Sequence, residues 1–134
     1  MSLTRRTAVA LALTSCFLTN SVFAADSMMH SMKYSQTDFE MAQKAGKQIL
    51  VEITAPWCPT CKAQAPILSE LRAQPKFKDL TVFSVDFDSQ KDVVRALKAT
   101  SQSTLIVFKG AAEMGRSVGD TKKESIEGLL GKSL

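Results

Sequence analysis

The sequence predicts an α/β fold with one central sheet layered between helices, and three observations carry that expectation. Helix-period and strand-period segments alternate along the chain. Residues 49–53, Ile49-Leu50-Val51-Glu52-Ile53, form a short run that is apolar on both faces but for one carboxylate, as in a strand covered on each side. The last third holds two strand-like runs joined across Gly110 and followed by an amphipathic helix. Strands and helices in this order settle as layers around one core.

Each element has its own signal. Ser35-x-x-Asp38 marks a helix N-terminus with Ser35 as cap, and the helix runs to about Lys44 before Gly46 stops it. The strand 49–53 follows, and Ala55-Pro56-Trp57 ends it. A second helix opens at Cys58 or Pro59, with Ala63, Ile67, Leu68 and Leu71 at helical spacing. Pro66 within it removes one backbone hydrogen bond and should kink it. Residues 80–86 form the next strand, and residues 90–99 place Val93, Val94 and Leu97 on one face of a third helix. Residues 104–109 and 113–118 make a hairpin around Gly110. Residues 121–130 form the last helix, with Ile126, Leu129 and Leu130 facing inward.

The first two dozen residues stand apart from this domain. Arg5 and Arg6 precede an apolar stretch over residues 8–18, and Val22-Phe23-Ala24 offers a cleavage site ending in a small residue. That order describes a secretory signal peptide over residues 1–24. The apolar stretch is short of the roughly 20 residues that span a membrane; the alternative is a buried N-terminal helix. Two details complicate the leader. Leu13-Thr14-Ser15-Cys16 is similar to a bacterial lipobox, which would put a lipid anchor on Cys16, and Thr4-Arg5-Arg6 partly matches a twin-arginine signal. The expected destination in every case lies outside the cytosol, in the periplasm or beyond. Cleavage after Ala24 leaves residues 25–134 as a single domain of ordinary size. It also removes two of 17 basic residues and none of the 13 acids, so the net charge falls from +4 to +2. The remaining basic residues are scattered, with no concentrated face for nucleic acid.

Of three cysteines, Cys16 belongs to the leader, which leaves Cys58 and Cys61 as a pair. A disulfide closing so small a loop restrains the unfolded chain very little, because its benefit grows with loop length. It is a poor staple and a good redox switch. Cys58 stands where the buried strand gives way to a helix, and there the helix dipole and unpaired N–H groups favour a thiolate. Pro59 suits the first turn because its missing N–H costs nothing there. Cys61 lies one turn further in, placed to attack a mixed disulfide formed at Cys58. Cys58 is therefore read as the nucleophile and Cys61 as the resolving thiol. Trp57 offers a flat apolar surface to a partner, or else is an ordinary packing aromatic. Glu52 has two readings as well: a buried acid of raised pKa that relays a proton to or from Cys61, or a strand-face carboxylate reaching water or a lysine.

Residues 49–62, with Trp57-Cys58-Pro59-Thr60-Cys61-Lys62 at their end, and Ala65-Pro66-Ile67-Leu68 beyond them, resemble the active-site strand and helix of thioredoxins. Val85-x-x-Asp88, residues 104–110 and Val118-Gly119 resemble later parts of the same family, so the likeness spans about residues 35–130. It implies the thioredoxin fold, a central mixed β-sheet flanked by helices. It favours the proton-relay role for Glu52, since the family carries a buried acid there. Gly119 matches the glycine lining the family's substrate groove.

Two departures stand out. The dipeptide between the cysteines is Pro-Thr where cytosolic thioredoxins usually have Gly-Pro, which leaves the direction of electron flow open. In Ser101-Gln102-Ser103-Thr104, Ser103 occupies the place of the family's cis-proline. A cis bond without proline costs about 2.5–4 kcal/mol, so a trans Gln102–Ser103 peptide and a reshaped loop are expected. The resemblance makes that loop, with Gln102, Ser103 and Thr104, part of the surface that binds partner backbone.

The function expected is an exported thiol–disulfide oxidoreductase exchanging protein disulfides, with reductase favoured over oxidase. It would act as a monomer, with protein thiol or disulfide clients and a membrane partner to supply or remove electrons. No organic cofactor is implied, since the dithiol is the redox group. The alternative is a soft-metal module, for copper or zinc, using the cysteine pair and the Met28-Met29-His30-Ser31-Met32 segment. No resident metal is assigned in the primary reading.

Overall fold

The computed structural model describes residues 31–134. The leader, Cys16 and the Met28-Met29-His30 part of the methionine segment lie outside those residues. Among the described residues no helix is long and apolar enough to cross a membrane.

The chain begins with a two-residue strand β1 (Met32–Lys33) and helix α1 (Gln36–Lys44). Ser35 caps α1 as expected: its Oγ accepts from the Asp38 N–H at 3.1 Å. Gly46, with φ +67°, ends it. Strand β2 (Gln48–Thr54) then leads into helix α2 (Pro59–Arg72), which continues through Pro66. A short 3-10 turn at Pro75–Phe77 precedes β3 (Thr81–Asp86). Helix α3 (Lys91–Ala96) is shorter than the 90–99 expected, because Lys98 turns to φ +52° and the chain reverses there. Strands β4 (Thr104–Lys109) and β5 (Ala112–Val118) form the hairpin, and α4 (Lys123–Gly131) closes the domain.

The five strands are ordered β1-β3-β2-β4-β5. β3 runs parallel to both β1 and β2, while β4 is antiparallel to β2 and to β5. The sheet is mixed, as the family resemblance implied. β2 is central, and Ile49, Leu50, Val51 and Ile53 are all at most 1% exposed. Their alternation divides the core. Ile49, Val51 and Ile53 meet an aromatic cluster with Phe39, Tyr34, Phe83 and Phe108, whose ring centroids lie 5.3 to 6.0 Å apart. Leu50, on the other face, meets Leu68 and Leu71 of α2 and Ile126, Leu129 and Leu130 of α4. Period-2 alternation therefore turns Glu52 toward α2, the helix that bears the cysteines.

On α2 the inward face differs by one position from expectation. Gln64, Leu68 and Leu71 are buried, whereas Ala63 is exposed. An apolar pattern puts alanine inside by default; tertiary hydrogen bonds put the glutamine there instead.

Candidate active site

The turn after β2 delivers Cys58 to the N-terminus of α2. The Cys58 N–H donates to the Ala55 carbonyl at 3.1 Å, which tightens the turn. Cys58 is the N-cap: its Sγ accepts from the Cys61 N–H at 3.0 Å, and Pro59 follows at the first helical position. Cys58 and Cys61 form a disulfide, with Cα atoms 5.3 Å apart. Cys58 is fully buried and Cys61 half-buried. The sulfur of Cys58 thus sits where helix N–H groups are directed. On reduction that placement favours the thiolate.

Glu52 is half-buried on β2, and burial pushes its carboxyl above the ordinary range while the charge of Arg72 acts in the opposite direction. Trp57 is 55% exposed, so it is no core aromatic. Its indole N–H donates to Asp88 Oδ2 at 2.7 Å, which holds the ring at the surface beside the cysteines. Val118, 57% exposed, is a second large apolar side chain next to Gly119.

Among the described residues every peptide bond is trans, including Gln102–Ser103. Ser103 adopts φ +54°, a left-handed conformation uncommon for a residue with a Cβ. Its hydroxyl donates to the Gln102 carbonyl at 2.7 Å, and the Ser101 hydroxyl donates to the same carbonyl at 3.0 Å. Thr104 Oγ1 donates to the Ser101 carbonyl at 2.6 Å. Ser103 and Thr104 are buried, Gln102 is half-buried and Gly119 is exposed at φ +68°. Within that loop, the side chains of Ser103 and Thr104 hold its backbone together. The Gly119 N–H donates to the Ser103 carbonyl at 2.9 Å, which ties the loop to the turn after β5.

Proline cannot adopt φ +54°. Ser103→Pro is therefore expected to force the loop to rebuild and to lower stability by more than about 1 kcal/mol, read as a lower urea midpoint.

Gln64, Asp88 and Val118 were not singled out as site residues from the sequence. Gln64 had a signal, an amide at the i−4 and i−7 positions from Leu68 and Leu71. Among the described residues no three His, Cys, Asp or Glu side chains come together as a metal site.

The Thioredoxin family model matches residues 30–132. A thioredoxin H-type from Fagopyrum esculentum is 34% identical over 71% of this chain and 80% of its own. Thioredoxin from Staphylococcus aureus is 34% identical over 79% of this chain and all of its own. The crystal structure of Trxlp from Edwardsiella tarda EIB202 is 40% identical, superimposes with a TM-score of 0.73, and covers 75% of this chain and 98% of that one. A cysteine pair at a helix N-terminus, on a mixed sheet of this order, is the chemistry those likenesses would lead one to look for, and the chain belongs to the thioredoxin family of thiol–disulfide oxidoreductases.

Proposed function

We propose that this protein is exported and exchanges disulfides with protein clients, with Cys58 as the attacking thiolate and Cys61 as the resolving thiol. The observation that carries the assignment is the cap: Cys58 Sγ accepts from the Cys61 N–H at the start of α2, where negative charge is favoured. In the reducing direction the Cys58 thiolate attacks one client sulfur, the client disulfide breaks, and a client thiolate leaves. Cys61 loses its proton and attacks Cys58 Sγ, the mixed disulfide breaks, and the second client sulfur leaves as a thiolate that takes a proton from solvent. The Cys58–Cys61 disulfide then holds the two electrons' worth of oxidation. Glu52 is the group that takes the Cys61 proton in this reading; its burial on the strand face beneath α2 supports that role.

The client lies over Trp57, Val118 and Gly119, beside the Gln102–Ser103 loop that the Gly119 N–H ties to the same turn. Exposed apolar surface at Trp57 and Val118 supports this placement. Reduction is the favoured direction, on the strength of the likeness to thioredoxins, and sustained reduction outside the cytosol requires a membrane partner as electron donor. The leader at residues 1–24 supports export, and the N-terminal mass of protein recovered from cells distinguishes cleavage after Ala24 from lipidation at Cys16.

Equilibration of the pair against glutathione and dithiothreitol buffers tests the direction. A potential near about −270 mV is expected and fits a reductase, whereas a value near about −120 mV would make the protein an oxidant of thiols.

A further inference from the structure

Gln64 joins three pieces of the site through one side chain. It lies on α2 one turn beyond Cys61 and is 3% exposed. Its Nε2 donates to the Asp120 carbonyl at 2.8 Å and to the Ser103 carbonyl at 3.3 Å. The Ser103 carbonyl also accepts from the Gly119 N–H at 2.9 Å. The cysteine helix, the 101–103 loop and the turn after β5 therefore close into one hydrogen-bonded ring. Both connected segments hold left-handed backbone, at Ser103 and Gly119, and only Ser103 carries a Cβ there. A left-handed residue that carries a Cβ persists only where its surroundings over-determine it, and Gln64 is part of those surroundings.

We infer that Gln64 is a positioning residue for protein clients, holding the Ser103 loop and the Gly119 turn at the spacing a client segment needs beside the disulfide. Its two hydrogen bonds go to backbone carbonyls and not to sulfur. The Cys58 sulfur keeps its own donor, the Cys61 N–H, whatever occupies position 64. Loss of the amide is thus a change in recognition and leaves the sulfur chemistry alone. The inference rests on the client surface described above.

Gln64→Met preserves length and removes both donors. Reduction of insulin, a protein disulfide, is compared with reduction of hydroxyethyl disulfide, which needs no groove. The expected result is a KM for insulin raised about tenfold, the size of one lost net hydrogen bond. Its kcat, the small-disulfide rate and the reduction potential should stay within about twofold of the wild type, inside the error of such comparisons. Parallel loss with both substrates, or no change with either, overturns the inference. Should Gln64→Met fail to fold, Gln64→Asn keeps an amide one methylene too short to span both carbonyls. It is expected to raise the insulin KM in the same sense, and an unchanged KM counts against the role. A wild-type protein that reduces hydroxyethyl disulfide but not insulin removes the client reading itself, and this inference with it.

Discussion

Cys58→Ser is expected to reduce thiol–disulfide exchange to the uncatalysed background with protein and small disulfides alike. A serine hydroxyl at the head of α2 would accept the same Cys61 N–H, so the fold should survive, but an alcohol does not displace a thiolate at sulfur. Cys61→Ser should behave differently. The nucleophile remains, the first attack proceeds, and the mixed disulfide has no resolving thiol. Client adducts of the Cys61→Ser protein should accumulate and be visible by intact mass and on non-reducing gels, whereas Cys58→Ser should yield none. Full exchange by the Cys58→Ser protein, or equal adducts from both variants, would reverse the assigned roles or discard them.

The second large effect is expected at Glu52, where stability and rate should move in opposite directions. Burial raises this carboxyl above its ordinary value of 4.5, so the folded state holds the proton more tightly than the unfolded chain. The folded state is thus favoured by protonation. That advantage is fully present below the unfolded pKa and disappears as pH rises through the folded one. Glu52→Gln, neutral at every pH, should match the wild type in stability near pH 3 and exceed it at pH 7, as read by urea midpoints at both. The Arg72 charge, which favours the carboxylate, limits the gain. Under the proposed mechanism the resolving thiol then loses its proton acceptor, so activity should fall. A positioned general base contributes roughly 10² to 10⁴ in rate, and a drop of about 10² in the resolution step is expected. Stopped-flow decay of the mixed disulfide measures that step directly. A Glu52→Gln protein that resolves at the wild-type rate across pH 6 to 9, roughly the span around a thiol's pKa, would take the relay away from this residue.

Most of the fold was readable because it is written locally. Ser35 and Asp38 cap α1 through atoms three residues apart. β2 is apolar on both faces and lies at the centre of the sheet. The hairpin shows its turn at Gly110, with φ +57°. The rest had a weak local signature or none. β1 is two residues long and exists as a strand because Met32 and Lys33 pair with Phe83 and Ser84. The early end of α3 follows from the reversal at Lys98, which no Gly or Pro announces. Ala63 and Gln64 exchanged expected places because a helix face is assigned by polarity, and a polar group is welcome inside when carbonyls await it.

The candidate site divides along the same line. The sequence by itself determined the cysteine pair, its place at a helix N-terminus, the acid on the preceding strand, and a trans bond at Ser103. Each depends on residues within a few positions of one another, where spacing and backbone propensity act. Only the tertiary structure decided what those residues meet. Trp57 is anchored by Asp88, 31 positions away. Gln64 reaches Ser103 and Asp120, 39 and 56 positions away. Arg72 brings its charge to bear on Glu52 from the last turn of α2. Hydrogen bonds and charges act over a few ångströms whatever the separation along the chain. Their partners are therefore fixed by the sheet order and the helix placement that bring distant segments together.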